Sequence, residues 1–267
     1  MGVRGVKSAR SHAAGGAKRG GKTSVARLRA AAERVLSSSV ADLHEALAEL
    51  REALGAEKNA TAGYAPEPYD WYVEQGWCSD LFFQAESFVG EIVDPACGMG
   101  TIVMRAIAAG YIASGTDLIH RQQLGDYPFD TFDFLGERWS TAEVDNIVCN
   151  PPYSYETGIA ERFIRRALDV TRRKVAMLLP TKFNSSNGRH ALFTGTPLVR
   201  IHTLCSRPSM PPGSLLTTGK IKPKGGKVDY AWFVWEHGHS GPPTNHYLIL
   251  PEKLEAQRRR VKFKEAA

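Results

Sequence analysis

The fold is decided by residues 91–101, which read Glu91-Ile-Val-Asp94-Pro-Ala-Cys-Gly98-Met-Gly100-Thr101. Residues 91–94 predict a short buried strand that ends in a carboxylate, and the two glycines let the backbone turn sharply and admit a ligand close to the main chain. A helix is expected from Thr101 to Ala109. Val103 stands where a dinucleotide-binding fold has its third glycine. The acid before the turn suits a cationic amino group, so this unit favours a nucleoside ligand without phosphates over a glycine turn that binds nothing.

The alternation of strands and helices continues on the carboxyl-terminal side of this unit. Further strands are predicted over 111–117, 144–149, 175–179, 199–204 and 230–235, with a helix over 159–170. Strands that alternate with helices favour a parallel sheet with helices on both faces, because each crossover helix packs back onto the sheet. The predicted fold class is therefore α/β, doubly wound, with a mostly parallel sheet.

Two further acidic positions follow predicted elements at regular distances. Asp117 closes the second strand about 20 residues after the glycine turn, where a carboxylate bonds ribose hydroxyls in nucleoside-binding folds. Asp133 and Phe134 come a similar distance further on and could offer a carboxylate and an apolar wall to an adenine ring. Each acid alone is also compatible with a solvated loop, and the series is what favours a nucleoside site.

A second motif, Asn150-Pro-Pro-Tyr153, ends the strand over 144–149. The prolines fix φ and remove two N–H donors, so the nearby carbonyl groups are rigid and free to accept hydrogen bonds. The Asn150 amide oxygen and the Pro151 carbonyl could both accept from one exocyclic amine, which would aim the nitrogen lone pair outward. Tyr153 offers a face on which a planar base could stack, worth about 1–3 kcal/mol. The alternative is a Pro-Pro exit that only ends the strand.

Together the two motifs resemble those of the S-adenosylmethionine-dependent DNA adenine-N6 methyltransferases. Residues 94–101 match the family pattern D-P-A-C-G-x-G-T and residues 150–153 match N-P-P-Y, and the resemblance covers roughly residues 69–235. It implies a Rossmann-like methyltransferase fold with a seven-stranded sheet, S-adenosyl-L-methionine as the cofactor, and transfer of its methyl group to the N6 amine of adenine in DNA.

The resemblance also implies roles for individual residues. Asp94 would face the methionine amino group, Asp117 the ribose, and Asp133 with Phe134 the adenine of the cofactor. The segment Trp71-Tyr-Val-Glu74 falls where the family has a cofactor-contacting segment, with packing aromatics as an equal interpretation. The implied cofactor-binding residues are Asp94, Ala96, Cys97, Gly98, Gly100, Thr101, Asp117, Asp133, Phe134, Trp71 and Tyr72, and the implied catalytic residues are Asn150, Pro151, Pro152 and Tyr153. Asn at position 150 favours adenine over cytosine as the flipped target base.

Charge is distributed unevenly along the chain. The formal net charge is +6 over 267 residues, and residues 1–22 carry six basic residues and no acid. Residues 170–228 carry eleven basic residues and no acid, directly after the catalytic motif. Basic loops there could neutralise phosphates and reach base edges. The sequence therefore predicts DNA as the partner, with candidate contacts at Lys182, Arg189, Arg207, Lys220, Lys222 and Lys224.

The domain organisation follows from these patterns. We predict a disordered basic tail (1–22), a helical appendage (23–58) that could form a homodimer, a catalytic domain (59–250) with target-contacting loops at about 181–228, and a basic C-terminal tail (251–267). The four cysteines lack metal-ligand spacing, so no metal site is expected and the thiols should stay reduced in the cytoplasm. DNA binding would associate the protein with the nucleoid. No apolar run approaches the ~20 residues that span a bilayer, so no membrane contact is expected.

Three alternatives remain open at this level. A methyltransferase of the same fold could act on a protein glutamine amide, because a carboxamide also presents a planar NH₂ group. An RNA base is another acceptor that the same motifs could hold. A catalytically inactive nucleic-acid-binding module would keep the basic loops without needing Asn150 and Tyr153, and both are present.

Overall fold

The computed structural model describes residues 29–36, 50, 67–121, 123–136, 144–223 and 225–265. The chain divides into two units, residues 1–68 and residues 69–267. In the first unit the described residues 29–36 are helical, within the range predicted for the helical appendage. The predicted tail over 1–22 and most of that appendage lie outside the described residues.

The second unit alternates strands with helices. Its strands are β1 Ile92–Asp94, β2 Ala113–Asp117, β3 Phe129–Thr131, β4 Val144–Cys149, β5 Thr171–Pro180, β6 Leu198–Leu204, β7 Tyr230–Glu236 and β8 Thr244–Leu248. Its helices are α1 Trp77–Ala85, α2 Thr101–Ala108, α3 Ile159–Val170, α4 His190–Thr194, α5 Gly213–Thr217 and α6 Pro251–Glu265. Short 3₁₀ turns lie at Pro68–Asp70, Thr181–Asn184 and Asn187–Arg189.

The strands form one sheet in the order β3-β2-β1-β4-β5-β7-β6-β8. All neighbouring pairs are parallel except those that β7 makes with β5 and β6. This strand order, with helices on both faces, is a doubly wound, Rossmann-like α/β fold, and the predicted fold class is confirmed. The described sheet has eight strands rather than the expected seven, because β8 adds to the outer edge of β6. The predicted C-terminal tail over 251–267 contains helix α6.

Two apolar clusters cover the two faces of the sheet, and β7 contributes to both. Ala231, Phe233 and Trp235 pack with residues of α3 on one face. Tyr230, Trp232 and Val234 pack with residues of α1 and α2 on the other. This period-2 alternation of large side chains on a strand buried on both faces explains the aromatic-rich run that the sequence showed.

The topology gathers both motifs at one edge of the sheet. Since β1, β2 and β4 are parallel, their carboxyl ends, at Asp94, Asp117 and Cys149, lie at the same edge. Strands β5 and β6 run in the same direction on either side of the antiparallel β7, so the segments that follow them also start there. Ligand sites in open α/β sheets form at this edge.

A buried ion cluster joins the end of α1 to the middle of the sheet. The Glu86 carboxylate accepts hydrogen bonds from Lys174 Nζ at 2.7 Å, from Arg200 Nε at 2.7 Å and from His202 Nε2 at 3.1 Å. Burial alone would raise the pKa of Glu86, but the bonds from His202, Arg200 and Lys174 outweigh it and lower the pKa to about 2. Removing one partner of such a cluster leaves buried charge uncompensated.

We expect Glu86→Gln to lower the free energy of unfolding by about 3 kcal/mol at neutral pH. A depressed carboxylate pKa stabilises the fold above the unfolded-state value near 4.5, and this contribution is lost as the pH falls toward 2. The difference between wild type and variant should therefore shrink between about pH 6 and pH 3, as measured by urea unfolding. Glu156→Gln, which removes an exposed partner of Arg162, should cost at most about 0.5 kcal/mol. If the free energies of unfolding of wild type and Glu86→Gln differed equally at about pH 6 and at about pH 3, Glu86 would not be the ionised partner of this cluster.

Candidate active site

A cleft of about 760 Å³ opens at the carboxyl edge of the sheet. The cleft brings together most of the residues predicted for the cofactor and the catalytic motif: Trp71, Tyr72, Asp94, Ala96, Cys97, Gly98, Thr101, Asp117, Asp133, Phe134, Asn150 and Pro152. Gly100, Pro151 and Tyr153 are not among the residues that line the cleft.

The floor of the cleft is the turn between β1 and α2. Gly98 has φ 55° and Gly100 has φ 83°, the left-handed region that side chains disfavour. A Cβ on Gly98 would lie 3.2 Å from Trp71 Nε1, so the glycine also leaves room for that indole. Asp117 holds the turn, since its Oδ2 accepts from Gly98 N at 2.8 Å and its Oδ1 from Ile119 N at 3.0 Å.

Two buried carboxyl groups lie side by side at this floor. Asp94 is 1% exposed and Glu74 is 9% exposed. Burial raises the pKa of Asp94 well above its ordinary value, and the neighbouring Glu74 raises it further. Burial likewise raises the pKa of Glu74, against the hydrogen bond from Asn150. Because two like charges at one buried site repel, the pair favours a cationic group within the cleft.

Aromatic side chains form the walls. The Arg121 guanidinium lies 4.1 Å from the centre of the Trp71 ring, and its Nε lies 3.8 Å from Asp117 Oδ1. On the opposite wall Phe134 is buried and packs on Phe163, with ring centres 5.2 Å apart. The Asp133 carboxylate accepts from Leu135 N at 3.0 Å, which orders the turn that presents Phe134.

Asn150 ends β4 at the rim of the cleft. Its Nδ2 donates to Glu74 Oε2 at 2.8 Å and lies 3.4 Å from the carbonyl oxygen of Tyr72. Its Oδ1 is a hydrogen-bond partner of the Tyr153 hydroxyl, which also lies 2.9 Å from the Leu178 carbonyl oxygen. The ring of Tyr153 packs against both core clusters, and burial raises the pKa of its hydroxyl well above 10. In this arrangement the Tyr153 hydroxyl positions the Asn150 amide. The ring is packed against the core, so it does not offer the open face for stacking a base that the sequence suggested.

Asp70 holds the backbone at the end of the Asn150–Tyr153 motif and just after it. Its Oδ2 accepts from the backbone N–H groups of Tyr153 at 2.9 Å and Tyr155 at 2.8 Å, and also from that of Ser154. Tyr69 and Asp70 have φ of 56° and 53°, a costly conformation for residues with a side chain. The sequence singled out neither Asp70 nor a role for Glu74 toward Asn150. The sequence signal that could have pointed to these two acids is their position on either side of Trp71-Tyr72-Val73.

The same segment is paired with the basic region of the chain. Val73 N donates to Pro211 O at 3.0 Å and Gly213 N donates to Trp71 O at 2.9 Å, so a short antiparallel ladder joins the two stretches. A Cβ on Gly213 would fall 2.2 Å from Trp71 Cε2, which makes glycine necessary there. Residues 211–213 are thereby held beside the cleft.

The candidate nucleic-acid contacts differ in how free their side chains are. Lys182, Lys220 and Lys222 are exposed in the segments that follow β5 and β6. Arg189 donates to the Phe183 carbonyl at 2.9 Å and lies 4.2 Å over its ring. Arg207 pairs with Asp229 at 2.6 Å. Both arginines therefore make contacts within the segments that carry them. Lys224 lies outside the described residues.

The described residues contain neither a candidate metal site nor a candidate membrane-spanning helix. No group of three or more His, Cys, Asp or Glu side chains in this part of the chain could hold a metal ion. Within the same residues, no helix combines the length and the apolar character that crossing a membrane requires.

Comparison with known proteins gives structural similarities of low identity. No protein-family model matches the chain, and no curated protein matches it. A Pyrococcus horikoshii structure described as an RNA methyltransferase is 12% identical, with a TM-score of 0.43 over 60% of this chain and 80% of that one. A Vibrio vulnificus YJ016 structure, described as the modification subunit of a type I restriction enzyme, is 16% identical with a TM-score of 0.45. There the alignment covers 80% of this chain but 54% of the other.

A third similar structure is the magnesium protoporphyrin IX methyltransferase of Synechocystis PCC 6803, solved with bound SAM. It is 13% identical, with a TM-score of 0.40 over 62% of this chain and 79% of that one. Similarities of this degree do not say what this chain binds or modifies.

Proposed function

We propose that this chain is an S-adenosylmethionine-dependent methyltransferase that acts on the exocyclic N6 amine of adenine in DNA. The observation that carries the proposal is the position of Asn150. Its side-chain amide is fixed at the rim of a cleft whose floor holds a glycine turn and two buried acids. An amide oxygen beside two prolines suits a planar amine, and buried acids suit a cationic ligand.

The residues of the cleft fit the proposed cofactor. Asp94 and Glu74 offer negative charge to its amino group and sulfonium, and Asp117 offers a carboxylate to its ribose. The indole N–H of Trp71 is buried and has no hydrogen-bond acceptor among the described residues. Asp133 and Phe134 offer an acceptor and an apolar surface to the adenine. When bound, this cofactor supplies a methyl carbon on a sulfonium, so that a nitrogen–carbon bond can form as the carbon–sulfur bond breaks.

The part of the protein in this reaction is positioning. Asn150 Oδ1 and the Pro151 carbonyl would accept the two hydrogens of the target amine, which directs its lone pair into the cleft. Tyr153 and Asp70 would keep this loop in place throughout. Holding two reactants in line can lower the barrier by about 7–11 kcal/mol. The methylated nitrogen then carries one proton more than the product amine and would release it to solvent.

Support for DNA as the partner comes from charge and location. Residues 170–228 carry no acid, and the ladder at Gly213 keeps part of this stretch beside the cleft. Exposed Lys182, Lys220 and Lys222 can neutralise phosphates there. An adenine in a duplex would be rotated out of the stack at a cost of a few kcal/mol, which such contacts would offset.

A labelling experiment tests the acceptor. The protein is incubated with methyl-labelled S-adenosylmethionine and either unmethylated bacteriophage DNA, total RNA or a protein extract, and each product is digested to its monomers. Label in N6-methyladenine from DNA is the expected result. Label only in RNA nucleosides or only in protein glutamine would overturn the DNA assignment and would support one of the alternative acceptors.

Cofactor binding should also depend on pH. Because Asp94 and Glu74 have raised pKa values in the free protein, a ligand ammonium that ionises them should release protons on binding. The affinity for S-adenosylhomocysteine should therefore fall as the pH is lowered from about 8 to 5, since the acids then stay protonated. Calorimetry in two buffers of different ionisation enthalpy measures this proton release. Affinity that rises toward low pH would contradict the proposed ligand orientation.

A further inference from the structure

The contact between Glu74 and Asn150 links two segments that lie far apart in sequence. Glu74 Oε2 and Asn150 Nδ2 are 2.8 Å apart although 76 residues separate them. Glu74 is buried, and its carboxyl also interacts with Thr101 at the start of α2. The carboxyl group therefore lies between the proposed cofactor floor and the proposed catalytic amide.

The chemistry of this contact fixes which way the amide faces. The second group beside Nδ2, the carbonyl oxygen of Tyr72, can only accept a hydrogen bond. An Asn150 amide turned by 180° would set its oxygen against that carbonyl and lose the bond to the Glu74 oxygen. The side that faces Glu74 and Tyr72 must then be the NH₂ group.

Fixing the NH₂ group leaves the amide oxygen pointed the other way. Oδ1 bonds the Tyr153 hydroxyl and keeps a second lone pair, because an amide oxygen carries two. That second lone pair is the acceptor that the target amine needs. Without an acceptor at position 74, only the longer contact with the Tyr72 carbonyl would keep the NH₂ group on this side. An amide that turns over would present its NH₂ group to the target and repel an amine hydrogen.

We propose that Glu74 is a positioning residue, which holds the side-chain amide of Asn150 so that its oxygen receives the target amine. This inference rests on the proposed function. It predicts that a hydrogen-bond acceptor at position 74 is needed for turnover, whereas the negative charge at this position acts on the affinity for the cofactor.

A first test uses the cofactor-free protein and no substrate. The side-chain NH₂ signals of Asn150, identified by their loss in Asn150→Ala, should exchange with solvent at least about tenfold faster in Glu74→Ala than in wild type. Glu74→Gln keeps an acceptor oxygen and should retain the protection. Equal exchange in all three proteins would overturn the proposal. Glu74→Met, which fills the space without an acceptor, replaces Glu74→Ala if that variant does not fold.

A second test uses turnover on whichever acceptor the wild-type protein labels. Glu74→Ala should lower kcat by about 10–100-fold, and Glu74→Gln should keep kcat near wild type, while the Kd values of the two variants for S-adenosylhomocysteine should agree within about threefold because both lack the charge. Asp80→Ala removes an exposed carboxyl of α1 and serves as the matched control, with kcat unchanged. An equal loss of kcat in Glu74→Ala and Glu74→Gln, or an unchanged kcat in Glu74→Ala, would contradict positioning.

A third test exchanges the hydrogen-bond donor and acceptor between positions 74 and 150. Asn150→Asp alone sets two carboxyl groups against each other and should lower kcat strongly. Adding Glu74→Gln restores the hydrogen bond, with the donor now at position 74. The double variant should therefore have a kcat at least about tenfold higher than that of Asn150→Asp. Absence of any recovery would count against the proposal. Failure of wild type to label any acceptor contradicts the proposed function, and the exchange experiment still decides the role of Glu74.

Discussion

Asn150→Ala is expected to lower the rate of methyl transfer by about 10³-fold, the cost of removing one preorganised hydrogen-bonding group from an active site. The variant removes the amide oxygen proposed to hold the target amine and also frees the Tyr153 hydroxyl, which is bonded to it. Cofactor affinity should change less than about threefold, because Asn150 lies at the rim of the cleft and the cofactor is proposed to bind at its floor. The Asn150 side chain contacts Glu74 and Tyr72 there. Single-turnover transfer to DNA and calorimetric binding of S-adenosylhomocysteine measure the two effects separately.

A matched variant separates the role of Asn150 from a general effect of losing an asparagine. Asn245→Ala changes an exposed residue of the edge strand β8 and should leave transfer unchanged. Transfer by Asn150→Ala within about tenfold of wild type would disprove the assignment of Asn150. A loss of cofactor affinity as large as the loss of transfer would mean that Asn150 acts on the cofactor side of the cleft.

Asp94→Asn is expected to weaken cofactor binding by roughly 100-fold, in the range found when one partner of a buried charge pair is removed. The same change should raise the melting temperature of the cofactor-free protein. Burial raises the pKa of Asp94 above its unfolded value, so the ionised carboxyl disfavours the folded state as the pH rises above 3.8. The neutral amide avoids this cost and keeps an oxygen for the Ala96 N–H, which Asp94 Oδ1 accepts at 3.2 Å.

Both effects of Asp94→Asn are measured on one preparation, by thermal unfolding without ligand and by titration with S-adenosylhomocysteine. Asp130→Asn, an exposed acid of β3, should change neither quantity. A variant that loses stability and keeps its affinity would reverse the interpretation, because Asp94 would then support the fold and not the ligand.

The sequence predicted those parts of the fold that depend on local pattern. The strand and glycine turn at 91–101 and the helix over 159–170 follow from apolar periodicity and from turn chemistry, and the structure has them within one or two residues. The ends of β1, β2 and β4 could be placed at one edge, because parallel strands share their carboxyl edge. Asp94, Asp117 and Asn150 therefore meet at one cleft, as their positions at strand ends predicted.

The elements that the sequence did not predict lack such a pattern. Strand β8, Thr-Asn-His-Tyr-Leu, is exposed along most of its length, so no alternation of buried residues indicates it. Strand β3 has three residues and no fully buried one. The bonds from Asp70 to residues 153–155 and from Asn150 to Glu74 span more than 70 residues. Such pairings depend on how the sheet places distant loops, which neither propensity nor spacing encodes.

The placement of β7 has a consequence for the order of folding. This strand lies between β5 and β6 in the sheet, yet it follows both in the chain. Until residue 236 has left the ribosome, no strand lies between β5 and β6, and their facing edges have no neighbour. Exposed strand edges invite pairing with other chains, and sheets closed by distant segments fold slowly. Nascent chains that stop short of β7 should therefore aggregate readily, whereas chains that include it can close the sheet in one step.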